Sequence, residues 1–378
     1  MIKSYDVGSL PPKNDSQKYL INAHAVETSN IYDNHIKKFE EIIVETFIDK
    51  IRMGIDIPNY PQFRDMTQMF LDMIEGIEKT KDGYLEVGDL KLKEQRGTIA
   101  EIMILRRHLH EISLEIQRHV NIKLCITGPY TLSTLFPYRR AETIQKLGNI
   151  LTQVLEKNIF NEKEGKVRIV SLDEPTFGLI NDPLIDKGSI GREILLKTWE
   201  KIFYKIKTQN VDPCLHLHTT ANDLFWEAKS LKIVESHVED AIYKMKQTKK
   251  RLEETDKLLK ASICKTDFDQ LIKNHIVTAS REKQTENKLN EIIAETWKNI
   301  KLGKLNPTIY LENIQLMKKR LTIIIENYGK ERVPYAGPEC GLRGFPSYTC
   351  ALECLKRVAD TCKEFKASPH ITNINKSS

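Results

Sequence analysis

Short apolar runs alternate along the chain with longer stretches in which apolar side chains recur every three or four positions. The first pattern marks buried strands and the second marks amphipathic helices. The runs predict strands near 3–9 (KSYDVGS), 54–58 (GIDIP), 122–129 (IKLCITGP), 167–175 (VRIVSLDEP), 212–218 (DPCLHLH), 231–237 (LKIVESH), 261–267 (ASICKTD) and 332–340 (RVPYAGPEC). The second is the weakest, being short and followed by two prolines. Helical periodicity fills most of the intervals, at 30–53, 98–118, 139–158, 193–208, 241–260, 283–302 and 308–328. Strands and helices alternating in this order point to a closed parallel (β/α)8 TIM barrel. The expected organisation is one barrel domain over 1–365 and a polar tail over 366–378. Within it, 244–260 (KMKQTKKRLEETDKLLK) reads as a charged helical insertion packing through Met245, Leu252 and Leu259.

Each predicted strand ends in residues unusual for a core: Gly-Ser, Asp-Ile-Pro, Thr-Gly-Pro, Asp-Glu-Pro, His-Leu-His, Glu-Ser-His, Lys-Thr-Asp and Pro-Glu-Cys. In a parallel barrel the carboxyl ends of the strands share one face, where active sites are built. On a strand, alternate side chains share a face, so Cys214, His216 and His218 point one way and Leu215 and Leu217 the other. The motif His-x-His also occurs as His108 and His110, but there it lies in a helical pattern. Positions two apart on a helix diverge by about 200°, so that pair reads as surface or packing. Neighbouring strand ends add Glu235 and Cys340 to His216 and His218. Two imidazoles, one carboxylate and one thiolate form a tetrahedral set that suits zinc. The other cysteines read as packing: Cys125 and Cys264 lie within apolar strands, Cys214 sits one layer below the histidines, and Cys350 and Cys354 share a stripe of the last helix.

Composition narrows the class. The chain has 378 residues, of which 40% are hydrophobic, enough for a full core. Its 58 basic and 52 acidic residues are interspersed and leave a net charge of only +6, without the concentrated basic face that nucleic-acid binding requires. Seven irregularly spaced cysteines do not form a disulfide framework. With no apolar run long enough to span a bilayer and no charged-then-apolar leader, a reduced, cytoplasmic protein is expected, without membrane or nucleic-acid partners.

VGSLPP at the start, TGPYTL at 127–132, LDEPTFG at 172–178, the HLH and IVES strands and PECGLRGFP at 338–346 resemble, in that order, the catalytic barrel of cobalamin-independent methionine synthases. The resemblance covers essentially the whole chain and is to the short, single-barrel archaeal form. It implies a zinc-dependent methyltransferase that acts on the thiol of homocysteine to form methionine. In that family the ion is held by His, Cys, Glu and Cys, which places Glu235 and Cys340 in the site. It also implies that Gly8, Ser9 and Asp173 hold the amino-acid part of the substrate, and Arg64 and Arg343 are further candidates for an acidic group. The family's His-x-Cys is here His216-Leu217-His218, so one thiolate is replaced by an imidazole; a register shifted by two would instead use His218 and Thr220. The stretch TFGLIN offers no carboxylate before Asp182, and ICKTDFD lacks the histidine the family uses toward its folate donor. A methylated corrinoid, such as methylcobalamin or a corrinoid protein, is therefore the expected donor. A zinc thiol-alkyltransferase acting on another thiol, such as coenzyme M, and a metal-binding barrel without catalysis are the alternatives.

Overall fold

The structure, a computed structural model, describes residues 2–13, 23, 26, 34–179, 181–279 and 285–367. Its centre is a curled parallel sheet of β1 (Lys3–Ser4), β4 (Val120–Thr127), β5 (Gly165–Glu174), β6 (Asp212–Leu217), β7 (Ile233–Glu235), β8 (Leu258–Cys264) and β9 (Tyr335–Pro338), hydrogen-bonded in the order β1-β9-β8-β7-β6-β5-β4. A separate antiparallel hairpin joins β2 (Ile74–Thr80) to β3 (Gly83–Leu92). The two edges of the sheet, β1 and β4, face the segment predicted as the second strand. That segment forms no ladder: Ile57 bridges Tyr5 and Asn59 bridges Lys123, both parallel and isolated. Pro58 and Pro61 lack the N–H groups that a continuous ladder needs. The architecture is mixed α/β and TIM-barrel-like.

Alternation along the strands separates two apolar layers. Leu172, Leu215, Leu217, Val234 and Ile263 belong to the large core between sheet and helices. Tyr5, Ile57, Ile169, Cys214, Ile233 and Tyr335 form a small cluster inside the curl. The rest of the interior is polar. Lys50, Lys123, Lys260 and Glu235 are each fully buried. Lys50 Nζ lies 2.7 Å from Asp6 Oδ2 and donates to the carbonyls of Gly8 (3.2 Å) and Asn59 (3.0 Å), tying the first strand to the bridging segment.

Several predicted boundaries move. The helix expected over 98–118 breaks at His108 into Ala100–Arg107 and Leu109–Ile116. The helix expected over 241–260 is a single 3-10 turn at Ala241–Tyr243 and a short helix, Thr248–Glu254. Asp256 adopts a left-handed backbone (φ 49°) that stops the helix, and Leu258–Lys260 then pair as β8. Leu252 and Leu259 are buried as expected, one on the helix and the other on the strand. The helix Phe268–Ala279 and the hairpin were not anticipated. The helix predicted from residue 30 is described from Asn34, and the last helix, Tyr348–Ala367, runs past the expected domain end at 365. The tail from 368 onward lies outside the described residues.

Candidate metal centre

Parallel pairing sets Thr127 beside Asp173, Asp173 beside His216, and His216 beside Glu235. Paired residues in a parallel ladder project to the same face, so these side chains form one layer of the interior at the carboxyl end of the sheet. One position earlier in the alternation, Ser171 and Cys214 form the layer beneath. Asp173 accepts a hydrogen bond from Ser171 (2.6 Å), and burial lifts its carboxyl to about 6 against the opposing pull of His216 and Lys123. The adjacent Glu174 faces the other way. It accepts from the backbone of Tyr130 (3.0 Å) and Thr131 (2.6 Å) and from Trp199 Nε1 (3.0 Å), so this half of the Asp-Glu-Pro motif is structural.

At and above this layer, His216, His218, His237 and Cys340 each offer a donor atom, and these atoms all lie within 4.8 Å of one another. Cys340 Sγ is 3.6 Å from His218 Nε2, and the His218 and His237 rings are 4.2 Å apart between centroids. Three of the four residues predicted as ligands are thus brought together: His216, His218 and Cys340. The fourth, Glu235, stands outside this group. Its Oε1 lies 3.0 Å from His216 Nδ1, behind the imidazole, and Lys123 and Lys260 flank it. Its place is taken by His237, which sequence reading missed. His237 is two residues after Glu235, just past the end of β7, in the position that corresponds to His218 just past the end of β6.

The donor groups perturb one another. Burial alone would push the Cys340 thiol up, but the imidazoles of His216, His218 and His237 hold it well below its ordinary range. Burial depresses His216, yet Cys340 and Glu235 raise it to about 10. Burial lowers His218. Glu235 would be raised by burial and is instead held well below the carboxylate range by Lys123, Lys260 and His216. Both ring nitrogens of His216, Nε2 of His237 and both carboxylate oxygens of Glu235 are buried without a hydrogen-bond partner, the 3.0 Å contact between His216 Nδ1 and Glu235 Oε1 being an ion-pair approach. Orphaned ring nitrogens beside a thiolate are the donors a borderline-soft divalent ion takes, so the residues fit zinc.

Of the predicted substrate residues, Asp173 pairs with His216 and Ser9 meets the loop after Cys340. Gly8 has φ +146°, and a Cβ there would meet Asn59 Nδ2 at 2.6 Å. The carbonyl of Ser9 accepts from Leu342 N (2.8 Å), which draws the loop after Cys340 onto the first strand. A Cβ on Gly341 would lie 1.9 Å from Ser9 Oγ. Arg64 makes a two-pronged pair with Glu101 (2.9 and 2.6 Å), and Arg343 donates to the Arg64 carbonyl (3.4 Å). Asp182 accepts from Tyr130 Oη (2.8 Å) and from Arg139. His108 and His110 do not converge: His108 pairs with Glu111 at 2.8 Å. Cys350 and Cys354 are buried, and neither is in a disulfide. Among the described residues no helix is long and apolar enough to cross a membrane.

No protein-family model matches the chain, and no curated protein matches it in sequence. Among solved structures, one described as a sugar phosphate isomerase/epimerase from Anabaena variabilis ATCC 29413 aligns at 11% identity over 97% of this chain and 98% of its own, with a TM-score of 0.44, too low to bear on the fold. A B12-independent methionine synthase from Shewanella sp. W3-18-1, solved in complex with selenomethionine, aligns at 14% identity over 97% of this chain and 98% of its own, with a TM-score of 0.60. The chain therefore shares the fold of that methionine synthase along essentially its whole described length.

Proposed function

We propose that this chain is a zinc-dependent methyltransferase that methylates the thiol of homocysteine or a closely similar amino-acid thiol. The observation that carries the reading is the convergence of His216, His218, His237 and Cys340 at the carboxyl end of the sheet. The fold shared with a methionine synthase supports it. His216, His218, His237 and Cys340 would hold the ion, and a bound zinc would supply the Lewis acidity that turns a thiol of ordinary pKa, about 8.5, into the nucleophilic thiolate. Asp173, next to His216 in the ladder, would pair with the substrate ammonium. Ser9, held against the loop after Cys340, and the adjacent Gly8 would offer backbone groups to its carboxylate. Together these residues orient the sulfur toward the donor methyl, which is where proximity contributes most.

For the donor, the sequence favours a methylated corrinoid, and the engagement of Asp182 by Tyr130 and Arg139 agrees with the absence of a free folate-facing carboxylate at that position. The fold neighbour is described as B12-independent, which weighs the other way. Four protein donors are also the signature of a closed structural site, and a chain that binds metal without turnover is the second reading. The test is metal content of the purified chain together with methyl transfer from methylcobalamin and from a methylated folate, each to homocysteine and to coenzyme M. Stoichiometric zinc and homocysteine-dependent transfer, both reduced in Cys340→Ser, are expected. Full metal content and full turnover in Cys340→Ser would refute the site.

A further inference from the structure

Glu235 is held by more than its contact with His216. Its Oε1 is 3.0 Å from His216 Nδ1 and 3.7 Å from Lys123 Nζ, and its Oε2 is 3.6 Å from Lys260 Nζ. The side chains of Glu235, Lys123 and Lys260 are all 0% exposed. The lysines are themselves anchored. Lys123 Nζ donates to the Val7 carbonyl (3.3 Å). Lys260 Nζ donates to Ser262 Oγ (3.3 Å) and to the carbonyl of Pro338, two residues before Cys340. Both ammonium groups lie over the Tyr5 ring, at 5.2 and 5.6 Å from its centroid. Moving the carboxylate into the donor group would leave two buried ammonium groups without their counter-charge, a strongly unfavourable arrangement.

We propose that Glu235 is a positioning residue rather than a ligand: a counter-charge pinned by Lys123 and Lys260 that fixes the His216 ring with Nδ1 toward itself and Nε2 toward the metal, while His237 supplies the fourth donor. This rests on the reading that the group binds a metal. A carboxylate behind a ligating imidazole sets its tautomer and raises its basicity. Here it also offsets the thiolate that the His-x-His motif lacks. The arrangement makes the two side chains separable. His237 is half-buried and outside the lysine cage, so its loss removes a donor; Glu235 is inside the cage, so its loss loosens His216 without removing one.

The test uses the full chain loaded with Co(II), read by its d–d bands and its thiolate-to-cobalt charge-transfer band, with affinity measured by competition against a chromophoric chelator. Glu235→Gln is expected to keep both band systems with four-coordinate intensity and to weaken binding about 10- to 100-fold. His237→Gln is expected to shift and weaken the d–d bands while keeping the charge-transfer band. Loss of four-coordinate intensity in Glu235→Gln overturns the proposal whatever His237→Gln does. Should Glu235→Gln fail to fold, His237→Gln decides alone: a spectrum and affinity equal to the parent's overturn the proposal. A parent chain that binds no cobalt or zinc overturns the metal reading as well; a metal-binding parent with the two variants reversed overturns only the role of Glu235.

Discussion

Glu339 precedes Cys340 and acts as a clip between strand ends. Its Oε2 accepts from Val238 N (2.8 Å), the residue after His237, and its Oε1 accepts from Thr266 N (2.9 Å), beyond β8. Its own N–H donates to the Cys264 carbonyl (2.9 Å). One carboxylate thus ties the loop that carries His237 to the turn that carries Cys340. In Glu339→Gln one acceptor oxygen becomes an amide NH2 facing an N–H group. A hydrogen bond to a charged group, worth about 1.5–3 kcal/mol, is lost. If the metal must then reorder the two loops, zinc binding weakens by about 10- to 150-fold, at 1.4 kcal/mol per tenfold. The assay is a zinc titration against a chelating indicator, with a parallel melt of the metal-free chain to separate loosened donors from general instability. A zinc affinity within about threefold of the parent would show that the clip does not organise the group, since the bond lost is worth at least tenfold.

Three further outcomes are expected. Lys50→Met strands the buried Asp6 carboxylate and the Gly8 and Asn59 carbonyls; it should cost about 3–5 kcal/mol in urea unfolding, and a loss under about 1 kcal/mol would refute the account. Lys257 Nζ is buried without a hydrogen-bond partner, and burial lowers its pKa to about 8. The unfolded chain binds more protons between about 8 and 10.4, so the parent should gain up to about 3 kcal/mol as the pH rises through that window. Lys257→Met should be more stable than the parent at pH 7 and lack that gain; equal unfolding midpoints at pH 7 and 9.5 would contradict it. Gly341→Ala places a methyl 1.9 Å from Ser9 Oγ and 3.2 Å from Ser9 Cβ. Zinc retention during dialysis should fall and be partly restored by adding Ser9→Ala, whereas unchanged retention in the single variant would mean that this contact does not set the Cys340 loop.

The parts of the site that were legible in the sequence obey a local rule. His216, His218 and Cys340 could be placed because strand alternation and a shared barrel face suffice to bring them together, whereas His237, past the end of β7, was missed. The placement of Glu235 outside the donor group was not legible, because it is set by Lys123 and Lys260, which come from β4 and β8 and reach it only once their strands are paired. The stretch 257–260 has a helix-compatible composition, but pairing with β7 and β9 overrides it. Hairpin residues 74–92 are largely polar and only part-buried, so they lack the apolar runs that mark barrel strands.

The cross-strand alignment of Asp173, His216 and Glu235 has a consequence for assembly. Were β6 to slip by a single residue against β5 and β7, Leu215 and Leu217 would enter the lumen and both of its imidazoles would leave together. Of the four donors only His237 and Cys340, which follow other strands, would then remain. If the group holds an ion as proposed, its retention also reports on native strand pairing, and misthreaded chains would emerge from refolding as the fraction that a metal-affinity separation leaves behind.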